Sequence, residues 1–157
     1  MKFNVNQQDL QQALSYCQGV IEKRSTLPIL SNVLLDVNNS QLTITATDLD
    51  LIFVHKINNI EVIESGKTTT TSSIMYDIVR KFSSGKKINL LLSDKSKLQL
   101  ESEKSIFNLN CISHSEFPLT DENFNDNEFS INSKSLLKLL NKCKFSVSND
   151  ETRHYLS

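Results

Sequence analysis

The sequence predicts an α+β fold in which two amphipathic helices pack against curved antiparallel sheets, followed by the beginning of a second copy of the same unit. Three observations predict it. Apolar residues make up 38% of the 157 residues and charged residues 22%, which suits a folded core. Short runs of alternating apolar and polar residues are interrupted twice by apolar residues at helical spacing. The opening pattern then recurs late in the chain.

The first elements are a strand, a helix and four further strands. Phe3 and Val5 alternate with polar residues, and the helix that follows has Asn6 as its predicted N-terminal cap and ends near Gly19. Its apolar positions are Leu10, Ala13, Leu14, Cys17 and Ile21. Alternation then predicts strands over residues 33–37, 42–46, 49–57 and 60–62.

A second helix begins at Ser72 and Ser73, carries apolar residues as far as Phe82 and is closed by Gly85. Three alternating segments follow, centred on residues 88–92, 98–100 and 107–111. The predicted order is therefore β-α-β-β-β-β-α-β-β-β.

A polar, acidic segment over residues 120–128 is typical of a linker, so we place a domain boundary near residue 125. The predicted domains are a complete unit, residues 1–125, and a truncated second unit, residues 126–157. An offset of 126 residues gives eight identities over 29 positions, among them Phe3 with Phe129, Asn6 with Asn132, Leu10 with Leu136, Leu14 with Leu140 and Cys17 with Cys143. Leu136, Leu137, Leu139 and Leu140 therefore need a partner surface that the short second unit does not supply.

Charge is unevenly distributed, although the net charge is only −1. The helical windows, residues 7–24, 72–87 and 129–149, hold ten cations against three acids. Lys134, Lys138 and Lys142 are spaced by four, which stacks them about 6 Å apart on one helix face, a spacing that suits successive backbone phosphates.

The first helix instead carries Gln7, Gln8, Gln11, Gln12 and Gln18, which we expect to be exposed. Helices of this kind beside acidic strands are typical of a protein that presents its helices to a polyanion. The alternative is a solvated helix face.

Catalytic, cofactor and metal sites find little support in the sequence. Only three glycines are present, so no glycine-rich phosphate loop exists, and Gly66-Lys67-Thr68 lacks the spacing of one. Cys111 and His114 lack an orienting third group. We expect Cys17, Cys111 and Cys143 to be free buried thiols, and we predict no enzyme, no metal and no cofactor. The absence of a signal peptide or membrane span predicts a cytoplasmic protein.

Several segments closely resemble the bacterial DNA sliding clamp, the β subunit of DNA polymerase III. They are Met1-Lys2-Phe3, the segment from Arg24 to Asn32, the segment from Thr45 to Asp50, and Glu151-Thr152-Arg153 with Tyr155-Leu156. The resemblance runs over the whole chain. It implies a clamp-type fold of repeated domains whose chains pair head to tail into a ring around duplex DNA, with helices inside and sheets outside. DNA polymerase III and the clamp loader are the implied protein partners, although their peptide cleft lies in the part of the family fold that is absent here.

The resemblance also implies DNA-contacting residues. Arg24 matches a loop arginine and Arg80 a basic inner-helix position, while His154 and Tyr155 match aromatic positions near DNA. Together with Asp150 and the lysines at 134, 138 and 142 they form the predicted DNA-binding set. Two positions depart from the family pattern, because Ser73 stands where arginine can occur and Asp150 stands near a position that can be glutamine. The rival hypotheses are a scaffold or interaction fragment that cannot close a ring, and an enzyme using Cys111.

Overall fold

The computed structural model describes residues 1–21, 27–93, 96–118 and 130–147. The chain divides into two compact units, Met1–Leu119 and Thr120–Ser157. The predicted domain boundary near residue 125 falls outside the described residues and stays a prediction.

The first unit contains nine strands and two α-helices among its described residues. The strands are β1 Lys2–Asn6, β2 Asn32–Asn38, β3 Gln41–Thr47, β4 Ile52–Asn58, β5 Glu61–Glu64, β6 Gly66–Thr71, β7 Lys87–Ser93, β8 Lys97–Ser102 and β9 Ser105–Ile112. The helices are α1 Gln7–Cys17 and α2 Ser72–Val79. Two short 3₁₀ turns lie at Pro28–Ser31 and His114–Glu116.

The strands form one antiparallel sheet in the order β4-β3-β2-β6-β9-β8-β7-β1-β5. The first unit contains two halves with the same order of elements, β1-α1-β2-β3-β4 and β6-α2-β7-β8-β9. Each half contributes its first strand to the other, because β1 pairs with β7 and β6 pairs with β2. This exchange joins β2-β3-β4 and β7-β8-β9 to strands of the other half.

The core lies between the helices and the sheet. The apolar face of α1 is buried through Leu10, Ala13, Leu14 and Cys17, as its periodicity predicts. Helix α1 packs against β1, β3, β4 and α2, while α2 packs on β6. Both helices therefore cover the same apolar layer, whose fully buried strand residues include Phe3, Leu35, Leu42, Ile44, Ile88, Leu90, Leu98 and Leu100.

Side-chain hydrogen bonds reinforce the short contact between β6 and β9. The backbone pairs there only at Thr69 with Ile112 and Thr70 with Cys111. The hydroxyl of Thr69 donates to the Ile112 carbonyl at 2.9 Å, and that of Thr70 donates to the Asn110 carbonyl at 3.0 Å. These buried threonines thus supply bonds that a longer backbone ladder would otherwise provide.

Strand β6 is the one strand that alternation does not predict. Its sequence is Gly-Lys followed by four threonines, so it has no apolar and polar alternation to detect. Threonine nevertheless favours strands because it is β-branched. The predicted order is therefore corrected to include a ninth strand directly before α2.

Three predicted element boundaries are also wrong. Strand β4 begins at Ile52 rather than Leu49, because the Asp48 carboxylate accepts the backbone N–H groups of Asp50 and Leu51 and holds a turn. Helix α1 ends at Cys17, so Ile21 lies beyond it. Helix α2 ends at Val79, with Arg80 as its cap. Gly85, at φ +77°, instead forms the turn that leads into β7.

The described part of the second unit contains α3, Ser133–Cys143, and a 3₁₀ turn, Lys144–Ser146. The side chain of Asn132 caps α3 by accepting the backbone N–H groups of Lys134 and Ser135. Leu136, Leu137, Leu139 and Leu140 are 40% to 59% exposed, and residues 130–147 contain no strand that covers them. Cys143 is exposed as well, so the expectation that all three thiols are buried is wrong for this residue.

No helix among the described residues is long and apolar enough to cross a membrane.

Candidate nucleic-acid interface

The outer face of α1 carries mostly uncharged polar side chains, with the exposed Asp9 as its one acidic residue. The carboxamide of Asn6 caps the helix by accepting the Gln8 backbone N–H at 2.9 Å. Gln8 and Gln12 are exposed one turn apart, and Tyr16 follows after another turn at 48% exposure. Gln7 is buried, contrary to expectation, because its Nε2 donates to the Val79 carbonyl at the end of α2 at 2.9 Å.

A groove of about 470 Å³ runs between α1 and the end of α2. Each side chain that lines it carries an amide or a hydroxyl group, and we call it the amide groove; its lining residues are Gln7, Gln8, Gln11, Gln12, Ser15, Tyr76 and Ser84. Gln8 Nε2 donates to Ser84 Oγ at 2.7 Å, and Gln12 Nε2 donates to Tyr16 Oη at 2.9 Å. The groove is therefore an uncharged surface, rich in hydrogen-bond donors, on the helical side of the first unit.

Arg80 is the C-terminal cap of α2, and its guanidinium lies over the ring of Tyr76, one of the residues that line the groove. One guanidinium nitrogen lies 3.2 Å from the Asp77 carboxylate, and Cζ lies 5.8 Å from the centre of the Tyr76 ring. The side chain is about half exposed. Arg80 thus reaches solvent with a carboxylate already beside its charge.

Two of the basic residues in the second helical window form ion pairs with acidic residues outside the helices, one in the turn between β8 and β9 and one in β5. The Lys86 ammonium lies 3.5 Å from Glu103, and the Lys87 ammonium lies 3.4 Å from Glu61. Hydrogen bonds from Asn4 and Lys87, with the Lys87 charge, lower the pKa of the Glu61 carboxyl. These lysines therefore contribute less positive charge to the helical surface than the sequence total indicates.

The second unit carries a basic stripe whose lysines have no ion-pair partner among the described residues. Lys134, Lys138 and Lys142 lie on one face of α3, all exposed, and the helix itself contains no acidic residue. Lys134, Lys138 and Lys142 also border a shallow groove with Leu137 and Asn141. The predicted lysine stripe is thus present in the geometry that its spacing requires, one helical turn between successive ammonium groups.

Four predicted DNA-contacting residues, Arg24, Asp150, His154 and Tyr155, lie outside the described residues. Ser73 is described, and it is exposed on the first turn of α2. Of the predicted set, the structure therefore places Arg80 in the first unit and the three lysines in the second, and the assignment of these residues to DNA contact stays a prediction.

The thiols have the properties of structural rather than reactive cysteines. Burial raises the pKa of the Cys17 thiol to about 12, and burial also raises the pKa of the Cys111 thiol. Because the thiolate is the nucleophile, both shifts lower the reactivity of these groups at neutral pH. The Cys111 hypothesis therefore loses its chemical basis.

An open strand edge is a feature that the sequence does not predict. Strand β9 pairs with β8 over Ser105–Asn110, yet along that stretch its other edge has no strand partner among the described residues. Ile106 is 55% exposed, and the Phe107 ring packs edge-on against Phe82 at 5.7 Å while remaining 37% exposed. An edge of this kind, bearing apolar side chains, is a template for pairing with another strand.

Comparison with known proteins identifies relatives along the whole chain. The model of the family described as DNA polymerase III beta subunit, N-terminal domain, matches residues 1–121. The beta sliding clamp of Caulobacter vibrioides is 33% identical over 159 residues, covering 100% of this chain and 42% of that protein. The beta sliding clamp of Escherichia coli K12 is 31% identical over 157 residues, covering 100% of this chain and 43% of that protein. The chain thus spans about two fifths of the length of the curated relatives it matches.

Solved structures agree with this match. A structure of the DNA polymerase III beta subunit of Caulobacter crescentus superposes with a TM-score of 0.92 at 32% identity, covering 99% of this chain and 42% of that one. A sliding clamp from Bartonella birtlesii, solved with griselimycin, gives a TM-score of 0.93 at 32% identity, with 99% and 41% coverage. The expected clamp-type α+β fold is confirmed.

Proposed function

Because this chain belongs to the family of DNA polymerase III beta subunits, the bacterial sliding clamps, we propose that it forms the N-terminal part of a DNA clamp. Such a clamp is a processivity factor without catalytic chemistry: it encircles duplex DNA and tethers the replicative polymerase. The chain spans about two fifths of its relatives, so the activity of the whole ring belongs to this proposal. A cytoplasmic location and the absence of any cofactor are part of it.

The observation that carries the proposal is that both helices of the first unit lie on one side of the sheet, while no helix in the described part of that unit covers the other side. Both helices of the first unit cover one side of the sheet, and they present the amide groove and Arg80 to solvent. A surface with donors and few acids suits the phosphate oxygens of duplex DNA, which accept hydrogen bonds irrespective of base sequence. The geometry therefore supports contact with the DNA backbone rather than base readout.

The basic residues take the role of phosphate contacts in this proposal. Arg80 and the lysines at 134, 138 and 142 are exposed on helical surfaces. Arg24, Asp150, His154 and Tyr155 complete the set by the resemblance to the family. Each lysine or arginine that neutralises a phosphate releases counterions, so binding weakens as salt is added.

The open edge of β9 supports the assembly of a ring. The edge over Ser105–Leu109 has no strand partner among the described residues, and the exposed apolar side chains of Ile106 and Phe107 lie on the same strand, which suits the addition of a strand from a neighbouring domain. In a head-to-tail pair of chains that neighbour is a domain of the second copy. DNA polymerase III and the clamp loader are the proposed protein partners of the complete ring.

The second candidate is an interaction fragment that binds neither DNA nor a ring partner. The exposed leucines of α3 favour it, since they form an uncovered apolar face in this chain. The two candidates differ in whether the helical side contacts DNA.

Site-specific photo-cross-linking tests the proposal. A photoreactive phenylalanine analogue replaces Gln12 on α1 in one variant and Val54 on β4 in the other. Phe53 and His55 contact Tyr16 on the helical side, so the intervening Val54 points to the opposite face of the sheet. Both positions are exposed.

We expect duplex DNA to cross-link to the chain from position 12 and not from position 54, with unrelated duplex sequences giving equal yields. Cross-linking from neither position, or equally from both, would overturn the proposal and favour the interaction fragment.

A further inference from the structure

Helices α1 and α3 are equivalent elements of the repeat. The offset of 126 residues maps Gln7–Cys17 onto Ser133–Cys143 with identical bounds. Both helices are capped in the same way: Asn6 accepts the backbone N–H of Gln8 at 2.9 Å, and Asn132 accepts that of Lys134 at 3.0 Å. Positions related by this offset therefore occupy the same place on their respective helices.

The lysine stripe of α3 has an uncharged counterpart on α1. The offset maps Lys134, Lys138 and Lys142 onto Gln8, Gln12 and Tyr16. All three counterparts are exposed, and they lie one turn apart on the helix just as the lysines do. The two stripes thus share their spacing and differ in charge.

The hydrogen bonds made by Gln8 and Gln12 leave further hydrogen-bond donors available at the same side chains and at their partners. Gln12 Nε2 donates to Tyr16 Oη, and Gln8 Nε2 donates to Ser84 Oγ. Each hydroxyl oxygen therefore acts as an acceptor toward its amide, which leaves its own O–H proton free for another partner. Each amide also keeps a second N–H. The stripe offers these donors without a positive charge.

We propose that Gln8, Gln12 and Tyr16 form an uncharged phosphate-contact stripe, which donates hydrogen bonds to the phosphodiester oxygens of duplex DNA. This inference rests on the proposed function and deepens it. Neutral donors release no condensed counterions, so the stripe contributes affinity that does not depend on salt. It also forms no ion pair that must separate when DNA moves by one phosphate. The equivalent helices α1 and α3 thus contribute an uncharged and a charged part of the DNA contact.

Paired variants at equivalent positions test this division. The first variant carries Gln8→Ala and Gln12→Ala, and the second carries Lys134→Ala and Lys138→Ala. Affinity of the 157-residue chain for a fluorescent duplex is measured by anisotropy from low to moderate salt, with thermal unfolding as the check on folding. We expect the glutamine variant to bind about tenfold more weakly at every salt concentration, with an unchanged slope of log K against log salt.

The lysine variant is expected to reduce the steepness of that slope by about 1.8, since two phosphate contacts contribute about 0.9 each. A third variant, Gln8→Lys with Gln12→Lys, keeps long donor side chains and is expected to steepen the slope by the same amount.

The outcomes separate the inference from the function on which it rests. Unchanged affinity of the glutamine variant, with a reduced slope in the lysine variant, would overturn the inference and leave the proposed function standing. A reduced slope in the glutamine variant would also overturn it, because the contact would then involve counterion release. If neither variant alters DNA binding, the proposed function is wrong as well.

Discussion

One guanidinium nitrogen of Arg80 lies 3.2 Å from the carboxylate of Asp77, three residues earlier at the end of α2. The guanidinium carbon lies 5.8 Å from the centre of the Tyr76 ring. The Asp77 carboxylate therefore partly neutralises the positive charge of Arg80. Arg80 must therefore exchange a carboxylate for a phosphate whenever it contacts DNA.

Replacing Asp77 with Asn frees that charge. We predict that Asp77→Asn strengthens duplex binding several-fold at low salt and steepens the slope of log K against log salt by about 0.9, the value of one additional phosphate contact. The control is Asp36→Asn, which changes the net charge equally and frees Lys67 from its 2.9 Å ion pair between strands β2 and β6. Equal effects of both variants would show that total charge, rather than Arg80, governs the binding.

The side chain of Asn32 joins β2 to the polar layer of β6. Its Nδ2 donates to Thr69 Oγ1 at 3.1 Å, and its Oδ1 accepts from Thr71 Oγ1 at 3.2 Å, in a site where Asn32 is 3% exposed. We predict that Asn32→Ala lowers the free energy of unfolding by about 2 kcal/mol, because two bonds are lost beside buried hydroxyls. Asn38→Ala, at the exposed end of β2, should change it by less than about 0.5 kcal/mol in the same urea titration. A cost at Asn32 as small as that expected for Asn38 would contradict this interpretation.

Helix α1 shows how far the sequence predicts this fold. Its cap at Asn6 and its buried positions Leu10, Ala13, Leu14 and Cys17 follow from local rules, since capping and helical periodicity depend on neighbours in the chain. Local rules do not predict strand β6, because a run of threonines has no alternation of apolar and polar residues. The burial of β6 depends instead on its pairing with β2 and β9.

Some features of the candidate interface can likewise be predicted from the sequence, and others depend on the folded chain. The stripe of Lys134, Lys138 and Lys142 is readable from its spacing. The pairing of Arg80 with Asp77 and that of Lys86 with Glu103 are properties of the folded chain. The burial of Gln7 is equally hidden in the sequence, because it depends on the Val79 carbonyl, 72 residues away. The open edge of β9 cannot be predicted either, since an edge is defined by the strand that is missing beside it.

Cys17 makes stability depend on pH in the alkaline range. Burial raises the pKa of its thiol to about 12, from 9.0 for an unperturbed thiol. The unfolded chain therefore loses this proton first. The stabilisation is complete below about pH 9 and is lost as the pH rises toward 12, at up to about 1.4 kcal/mol per pH unit.

We predict that Cys17→Ala is less stable than the wild type at about pH 8 and that this deficit shrinks by about pH 10.5, measured by urea unfolding. Cys143→Ala, at an exposed position, is the control and should match the wild type at both pH values. A deficit of the same size at both pH values would contradict the proposed ionisation.

The open edge of β9 predicts a specific pattern of amide hydrogen exchange. Strand β8 is paired on both sides, with β7 and β9, so its amides should exchange slowly. Along Ser105–Asn110 every second amide faces the open edge and should exchange rapidly in the 157-residue chain. Nuclear magnetic resonance after transfer to deuterated water resolves the two classes. Uniform protection from Ser105 to Asn110 would show that the edge is already covered in solution.

The salt dependence of duplex binding by this chain tests the central claim most directly, because a helical surface that follows phosphates has a characteristic response. With Arg24 and two of the lysines at 134, 138 and 142 each neutralising one phosphate, and with Arg80, paired with Asp77, contributing part of another contact, log K should fall against log salt with a slope of about −3 to −4. The affinity at physiological salt should lie at about 10⁻⁴ to 10⁻⁶ M and be equal for unrelated duplexes. Tight binding that survives high salt, or a clear preference among duplex sequences, would contradict the account of this chain as part of a sliding clamp.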